Sequence, residues 1–151
     1  MKALQGQKIT ERLGPMSNAK IIQFVRKHHV LLIEDDDLVR SGLALALMSN
    51  GFVTHAVAEA EEATEMVGKK RFHSIICDYH LPGMNGLDFF LMTRPYTEQS
   101  MNILITAYGF DQIYNRAAAA GIDAFFEKPF TIPALIASLN SGAKTRGEYL
   151  K

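Results

Sequence analysis

The sequence contains one cysteine, no tryptophan and no excess of charge of either sign among its 151 residues. The single cysteine, Cys77, excludes an intrachain disulfide and is typical of a reducing cytosol. Lysine plus arginine and aspartate plus glutamate number 16 each, so the overall charge indicates neither a nucleic-acid nor a membrane partner. No apolar run approaches the roughly 20 residues that a bilayer span needs, and residues 1–7 lack the apolar core of a signal peptide. We therefore expect a cytoplasmic protein.

Short apolar runs alternate with helical patterns from about His29 onward. The predicted strands are residues 30–33, 52–56, 74–77, 101–106 and 124–126, and the predicted helices are residues 38–49, 58–67, 87–93, 112–120 and 132–139. The first and third runs are continuously apolar, as expected for strands buried on both faces. This alternation predicts an α/β fold in which a five-stranded parallel sheet is covered by five helices.

Polar residues stand where the predicted strands end. Glu34 and Asp35 follow the first strand, and Asp78 follows the third. Thr106 ends the fourth strand, and Lys128 comes soon after the fifth. Because ligands of parallel sheets bind at the carboxyl ends of the strands, we expect these side chains to form one site.

Three neighbouring carboxylates predict a bound cation. Two unit charges about 4 Å apart repel by roughly 4 kcal/mol at an effective dielectric constant of 20, so Glu34, Asp35 and Asp78 require a proton or a cation. Oxygen ligands alone favour Mg²⁺ over Zn²⁺. Together with the ammonium of Lys128 and the hydroxyl of Thr106, the cluster is suited to accepting a phosphoryl group on a carboxylate.

Four segments of the chain resemble the signatures of the receiver domains of two-component response regulators. They are residues 31–36 (LLIEDD), 75–86 (IICDYHLPGMNG), 103–107 (ILITA) and 126–130 (FEKPF). They occur in the order and at the separations of that family, and the resemblance covers about residues 30–140. It implies a flavodoxin-like, doubly wound five-stranded parallel sheet of order 2-1-3-4-5 with five helices.

The resemblance also implies roles at the carboxylate cluster. Asp78 would be the phospho-acceptor, and Glu34 and Asp35 would be the acidic pair that holds Mg²⁺. Asp78 and the backbone carbonyl of His80 would complete the metal ligands. Glu34 replaces a more frequent aspartate, which implies that it reaches the ion through water.

The resemblance implies further roles for residues that would change conformation when Asp78 is phosphorylated. Thr106 would bond the phosphoryl oxygen and move inward, and Phe125 would be the aromatic residue whose rotamer follows it. Lys128 would pair with the carboxylate and then with the phosphate, before a cis peptide at Pro129. The face formed by residues 112–139 would signal the state to a partner.

Two departures from the family pattern predict altered behaviour. Phe125 lacks the hydroxyl of a tyrosine, which would change the switch. His80 and Tyr108 are bulky residues at the variable positions that flank the acceptor, and their size predicts slow dephosphorylation.

The function expected from these residues is a signalling switch rather than an enzyme with a turnover substrate. A sensor histidine kinase or a phosphotransfer protein would donate the phosphoryl group. Output would pass through protein contacts to a downstream effector or an output domain. We expect no direct nucleic-acid binding by this chain and no membrane partner.

Three alternatives remain open from the residues alone. A metal-dependent phosphatase or hydrolase would use Asp78 as a transient nucleophile, but it usually carries a second aspartate where this chain has His80. A degenerate receiver would be a constitutive binding module. A flavin-binding protein of the same fold would need a phosphate loop after the first strand.

The expected organisation is an N-terminal extension at residues 1–28, a receiver domain at 29–140 and a C-terminal tail at 141–151. The extension contains apolar Ile21, Ile22, Phe24 and Val25, which would suit an added helix or a homodimer contact. Either Asp36 or Asp37 is expected to cap the first helix. The remaining unassigned residues have ordinary interpretations: Cys77 as inert core, and His28, His29 and His73 as loop histidines without a metal.

Overall fold

The computed structural model of the chain describes residues 28–107 and 113–141. The strands are β1 (His29–Ile33), β2 (Val53–Val57), β3 (Ser74–Asp78), β4 (Met101–Thr106) and β5 (Ala124–Glu127). The helices are α1 (Asp37–Ser49), α2 (Ala60–Lys69), α3 (Gly86–Met92), α4 (Arg94–Thr97), α5 (Tyr114–Ala120) and α6 (Ile132–Asn140). Within these ranges, no helix is long and apolar enough to cross a bilayer.

The five strands form one sheet of order β2-β1-β3-β4-β5, and every neighbouring pair is parallel. The predicted fold class and strand order are therefore confirmed. β1 lies between β2 and β3, with Leu32 opposite Ala56 on one side and Ile76 on the other. Covering both faces of such a sheet requires continuously apolar central strands, which explains the run from Val30 to Ile33.

Side chains of each central strand alternate between two separate cores. Leu31, Ile33 and Leu104 pack on the face covered by α2, α3 and α5. Val30 and Leu32 pack on the opposite face, which α1 and α6 cover. Because successive side chains of a strand point to opposite faces, a single apolar run supplies both cores.

The observed ends of the elements differ from the predicted ones by only one or two residues in most cases. α1 begins at Asp37, one residue early, because the side chain of Asp36 accepts a hydrogen bond of 2.9 Å from the backbone N–H of Val39. After α1, Gly51 adopts φ +91°, a left-handed conformation that costs glycine little. α2 lies at Ala60–Lys69 rather than at 58–67. The start predicted for α5, residue 112, lies outside the described residues.

A four-residue helix, α4, is an addition to the prediction. It follows α3 directly, and Pro95 lies in its first turn, where no N–H is needed. The hydroxyl of Thr93 donates to the carbonyl of Phe89 at 2.7 Å, and that of Thr97 donates to the carbonyl of Thr93 at 3.1 Å. These hydroxyls are buried and satisfied by the backbone, so a helix forms here without an apolar repeat.

Candidate functional site

The acidic residues meet because β1 and β3 are neighbours. Ile33, the last residue of β1, pairs with Cys77 in β3, so Glu34 lies beside Asp78. The backbone N–H of Glu34 donates to the carbonyl of Val57 at 3.0 Å, which fixes the chain just beyond the end of β1. Glu34, Asp35 and Asp78 each offer one carboxylate oxygen, and these oxygens lie within 4.8 Å of one another. The sequence prediction of a carboxylate cluster is confirmed.

Lys128 joins the same cluster. Its ammonium donates to Asp78 Oδ2 at 2.7 Å and lies 3.5 Å from Glu34 Oε1. The backbone N–H of Lys128 donates to the carbonyl of Thr106 at 2.8 Å, and the peptide bond to Pro129 is cis, as the family resemblance implied. Two buried carboxylates therefore share one partly exposed cation.

The charge of the buried Glu34 carboxylate is only partly offset by its surroundings. Burial and the neighbouring Asp78 raise the pKa of Glu34 to about 8, and the charge of Lys128 offsets this only in part. Burial opposes the charged form of Lys128, but its hydrogen bond and attraction to Asp78 outweigh this and raise its pKa. Glu34 Oε2 is buried without a hydrogen-bond partner in the described part of the chain.

These observations match what a hard cation needs. Three carboxylates supply oxygen ligands only, and one buried oxygen has no other partner. A divalent ion at this position would give Glu34 an oxygen-binding partner and would favour its charged form against burial and the neighbouring Asp78. The donor set therefore fits Mg²⁺ better than a metal that prefers nitrogen or sulfur.

The turn after Asp78 holds its carboxylate and brings the backbone close to it. Asp78 Oδ1 accepts a hydrogen bond of 3.0 Å from the backbone N–H of His80, whose side chain is exposed. Gly83 adopts φ +79°, and a Cβ at Gly86 would collide with the backbone carbonyl oxygen of Asp78. Gly86 is thus required for close backbone approach, and Asn85 caps α3 by accepting from the N–H of Asp88 at 2.8 Å.

The predicted switch residues are both buried. Thr106 ends β4, is 1% exposed and lies beside Glu127 in the register of β5. Phe125 is fully buried in the core that also contains Ile113 and Ala117 of the α5 region. The structure thus places Thr106 at the strand edge and Phe125 in the core behind it. Tyr108, the second flanking residue of the prediction, lies outside the described residues.

Arg40 is a residue of this region that the sequence analysis missed. Its guanidinium donates to the backbone carbonyl of Glu34 at 2.9 Å and of Asp35 at 3.3 Å, and it pairs with Asp37. It therefore holds the acidic loop from the first turn of α1. The sequence could have indicated this contact, because Arg40 lies about one helical turn after the acidic loop and that spacing brings its side chain back to the loop.

The chain matches the family model of the response regulator receiver domain over residues 30–140. It is 36% identical over 112 residues to the two-component response regulator PhoP of Pseudomonas aeruginosa, covering 74% of this chain and 50% of that protein. It is 30% identical over 124 residues to a probable chemotaxis protein CheY of Rhizobium etli, covering 80% of this chain and 95% of the relative.

Solved structures show the same fold. A putative response regulator from Chloroflexus aurantiacus superposes with a TM-score of 0.71 at 28% identity, covering 78% of this chain and 98% of the other. The curated relatives differ in how much of their length is matched. The chain spans about half of the Pseudomonas protein but nearly all of the Rhizobium protein.

Proposed function

This chain belongs to the response regulator receiver domain family, and from that premise we propose that phosphorylation of Asp78 switches it between two signalling states. The single observation that carries the proposal is the arrangement of Glu34, Asp35 and Lys128 around Asp78. A buried carboxylate with an ammonium at 2.7 Å and two further carboxylates beside it has the groups that phosphoryl transfer requires.

In the proposed reaction Asp78 is the nucleophile. A carboxylate oxygen of Asp78 forms a bond to phosphorus while the bond from phosphorus to the donor breaks, and the donor leaves with the electron pair. Lys128 would move from the carboxylate to the incoming phosphoryl oxygens and offset their charge. The N–H of His80 holds the second carboxylate oxygen and so fixes the attacking group.

Glu34, Asp35, Asp78 and the backbone carbonyl of His80 are the groups that would hold Mg²⁺. A bound Mg²⁺ supplies positive charge to the phosphoryl oxygens in the transition state. Glu34 has a longer side chain than aspartate, and we propose that it contacts the ion through water. The raised pKa of Glu34 and its unpartnered oxygen support a cation here.

We propose that Thr106 and Phe125 carry the signal away from Asp78. Thr106 lies at the end of β4, where its hydroxyl would bond a phosphoryl oxygen. Phe125 lies in the neighbouring strand β5, and its side chain packs in the core beneath α5. A shift of Thr106 would change the packing of Phe125 and hence of the face formed by residues 112–139, which would contact an effector or output domain.

The remaining parts of the proposal concern partners and context. The phosphoryl donor would be a sensor histidine kinase or a phosphotransfer protein, and the protein would act in the cytoplasm as a switch rather than as a turnover enzyme. Residues 1–28 and 141–151 would flank the receiver domain, and the chain would form a homodimer; all but residues 28 and 141 of these segments lie outside the described part of the chain. We propose no direct nucleic-acid or membrane binding by this domain.

Variants of the carboxylates test the choice of nucleophile. Each protein is incubated with acetyl phosphate and Mg²⁺, and the site of any phosphoryl group is mapped by peptide mass. Asp78→Asn is expected to abolish labelling while the circular dichroism spectrum stays unchanged. Asp88→Asn removes an exposed carboxylate that pairs with Arg116, and it serves as the matched control that keeps labelling. A stable phosphoryl group on another residue of Asp78→Asn would refute the assignment.

Lys128→Ala tests the separate role of the lysine. We expect this variant to bind Mg²⁺ nearly as well as the wild type, since Lys128 is no metal ligand. The phosphorylated variant should show a reduced conformational change, because the contact between the phosphoryl group and the residue that follows β5 is lost. Backbone amide chemical shifts of residues 113–139 before and after phosphorylation measure this, and a full wild-type response would contradict the proposed role.

A further inference from the structure

A basic groove lies at the opposite edge of the sheet from the carboxylate cluster. It has a volume of about 280 Å³ and lies between the C-terminal end of α2 and the helix α4. The lining residues are Val67, Gly68, Lys69, Lys70, Arg71, Pro95, Tyr96 and Gln99. Among the described residues, three consecutive cations line the groove and no carboxylate does, so its field favours an anion.

The cations of the groove are available to a ligand. Within residues 28–107 and 113–141, neither Lys69 nor Arg71 takes part in any of the ion pairs, and both side chains are exposed. Tyr96 is 60% exposed and gives the groove a flat aromatic wall. A small groove, with charge at one end and an aromatic surface at the other, suits a ligand with an anionic group and an apolar part.

Lys70 links this groove to a cluster of histidines. Its ammonium lies 3.0 Å from His55 Nε2 and 5.7 Å from the centre of the Phe72 ring. The rings of His55 and His29 lie 5.9 Å apart, and His73 lies 6.0 Å from His29. His28 adds a fourth ring, 5.1 Å from His73.

The hydrogen bonds of these histidines argue against a metal. His73 Nδ1 accepts the backbone N–H of His29 at 3.0 Å, so the hydrogen of the neutral ring lies on Nε2. An ammonium only donates, so His55 Nε2 accepts from Lys70 and its hydrogen lies on Nδ1. In each neutral ring the unprotonated nitrogen already accepts this hydrogen bond, whereas the other nitrogen offers an N–H to an anion. The three-ligand clusters found in the described residues likewise include no histidine.

We propose that this groove binds a small phosphate-bearing ligand, with its phosphate on Lys69, Lys70 and Arg71 and its remaining part against Tyr96. The charge-assisted hydrogen bonds of lysine and arginine favour phosphate oxygens over neutral groups. The pKa of His55 is lowered chiefly by burial and further by the charge of Lys70. The site is separate from Asp78, so its test does not depend on phosphorylation.

The test is a titration of the whole chain followed by ¹H–¹⁵N NMR. The ligands are sodium pyrophosphate and adenosine monophosphate, added without Mg²⁺ so that phosphate is not drawn to the carboxylate cluster. Vesicles of phosphatidic acid in phosphatidylcholine, compared with pure phosphatidylcholine, show whether a lipid headgroup is the source of the phosphate. Lys69→Gln/Arg71→Gln is the test variant, and Arg116→Gln removes a cation at the opposite edge as the control.

We expect saturable shifts confined to residues 67–73 and 95–99 with at least one of these phosphates. Affinity should fall at least about tenfold in Lys69→Gln/Arg71→Gln and stay unchanged in Arg116→Gln. Because Lys69 and Arg71 are exposed, we do not expect their substitution to unfold the protein. An unchanged spectrum for the rest of the double variant verifies that it is folded. Absence of saturable shifts with every ligand, or equal binding by the double variant, would overturn the proposal.

Discussion

The two edges of the sheet differ in how they hold charge, although the chain as a whole is neutral. At the carboxyl edge, Glu34 and Asp78 are buried and share one lysine. At the amino edge, Lys69 and Arg71 are exposed, with the histidine cluster beside them. A net charge of zero therefore conceals an acidic edge and a basic edge. The acidic edge is under electrostatic stress that a cation relieves, whereas water solvates the basic edge.

The largest expected effect concerns backbone approach at the acidic edge. Gly86→Ala would place a methyl group against the carbonyl oxygen of Asp78 and the side chain of Leu104. We expect a loss of about 2–4 kcal/mol in the free energy of unfolding, since backbone must move to accept it. Urea denaturation measures this loss.

Gly42→Ala is the matched control, because a Cβ at Gly42 in α1 meets no atom within 4 Å. Removing a glycine from a helix interior should stabilise the protein by about 0.5–1 kcal/mol. Equal effects of the two alanine substitutions would show that Gly86 is not constrained by Asp78.

The second expected effect is a pH dependence of Mg²⁺ binding at the acidic edge. Because the pKa of Glu34 is about 8 without a cation, Mg²⁺ must displace a proton at lower pH. The apparent Mg²⁺ affinity should rise by up to about tenfold per pH unit below about pH 8 and level off above it. Calorimetric titration measures it, and Glu34→Gln should abolish the dependence. A pH-independent affinity in the wild type would contradict the assignment of Glu34 to the site.

The smallest effect lies at the basic edge. Burial, then His73 and His29, lower the pKa of His28 from its usual value of 6.5. The unfolded chain then takes up a proton more readily than the folded chain, so the free energy of unfolding should fall as pH drops through 6.5. His28→Gln should reduce this slope. An identical slope in His28→Gln would show that His28 has no part in it.

The sequence predicted the strands well where their apolar runs were continuous. β4 was predicted at its observed bounds, and β1 and β3 within one residue, because strands buried on both faces consist mainly of apolar residues. The carboxylate cluster followed from topology, since parallel neighbours bring their carboxyl ends together. Lys128 was expected at the same site from its position after the fifth strand, and its pairing with Asp78, implied by the family resemblance, is present.

Other features could not be predicted, for two physical reasons. α4 could not be predicted because the buried side chains here are threonines rather than apolar residues. The hydroxyls of Thr97 in α4 and of Thr93 just before it bond to backbone carbonyls, which no apolar pattern reveals. His28, His29 and His73 were expected to be loop residues, yet His29 begins β1, and the pairing of β1 with β2 and β3 brings His55 and His73 close to it. Contacts between residues distant in sequence depend on register, which a one-dimensional pattern does not contain.

The most direct test of the central claim is the intact mass of the wild-type chain after incubation with acetyl phosphate or phosphoramidate. The measurement is made with Mg²⁺ and again with the ion removed by a chelator. The account predicts a gain of one phosphoryl group that requires Mg²⁺ and is lost in Asp78→Asn. No gain under any condition would contradict it, and the carboxylate cluster would then serve cation binding alone.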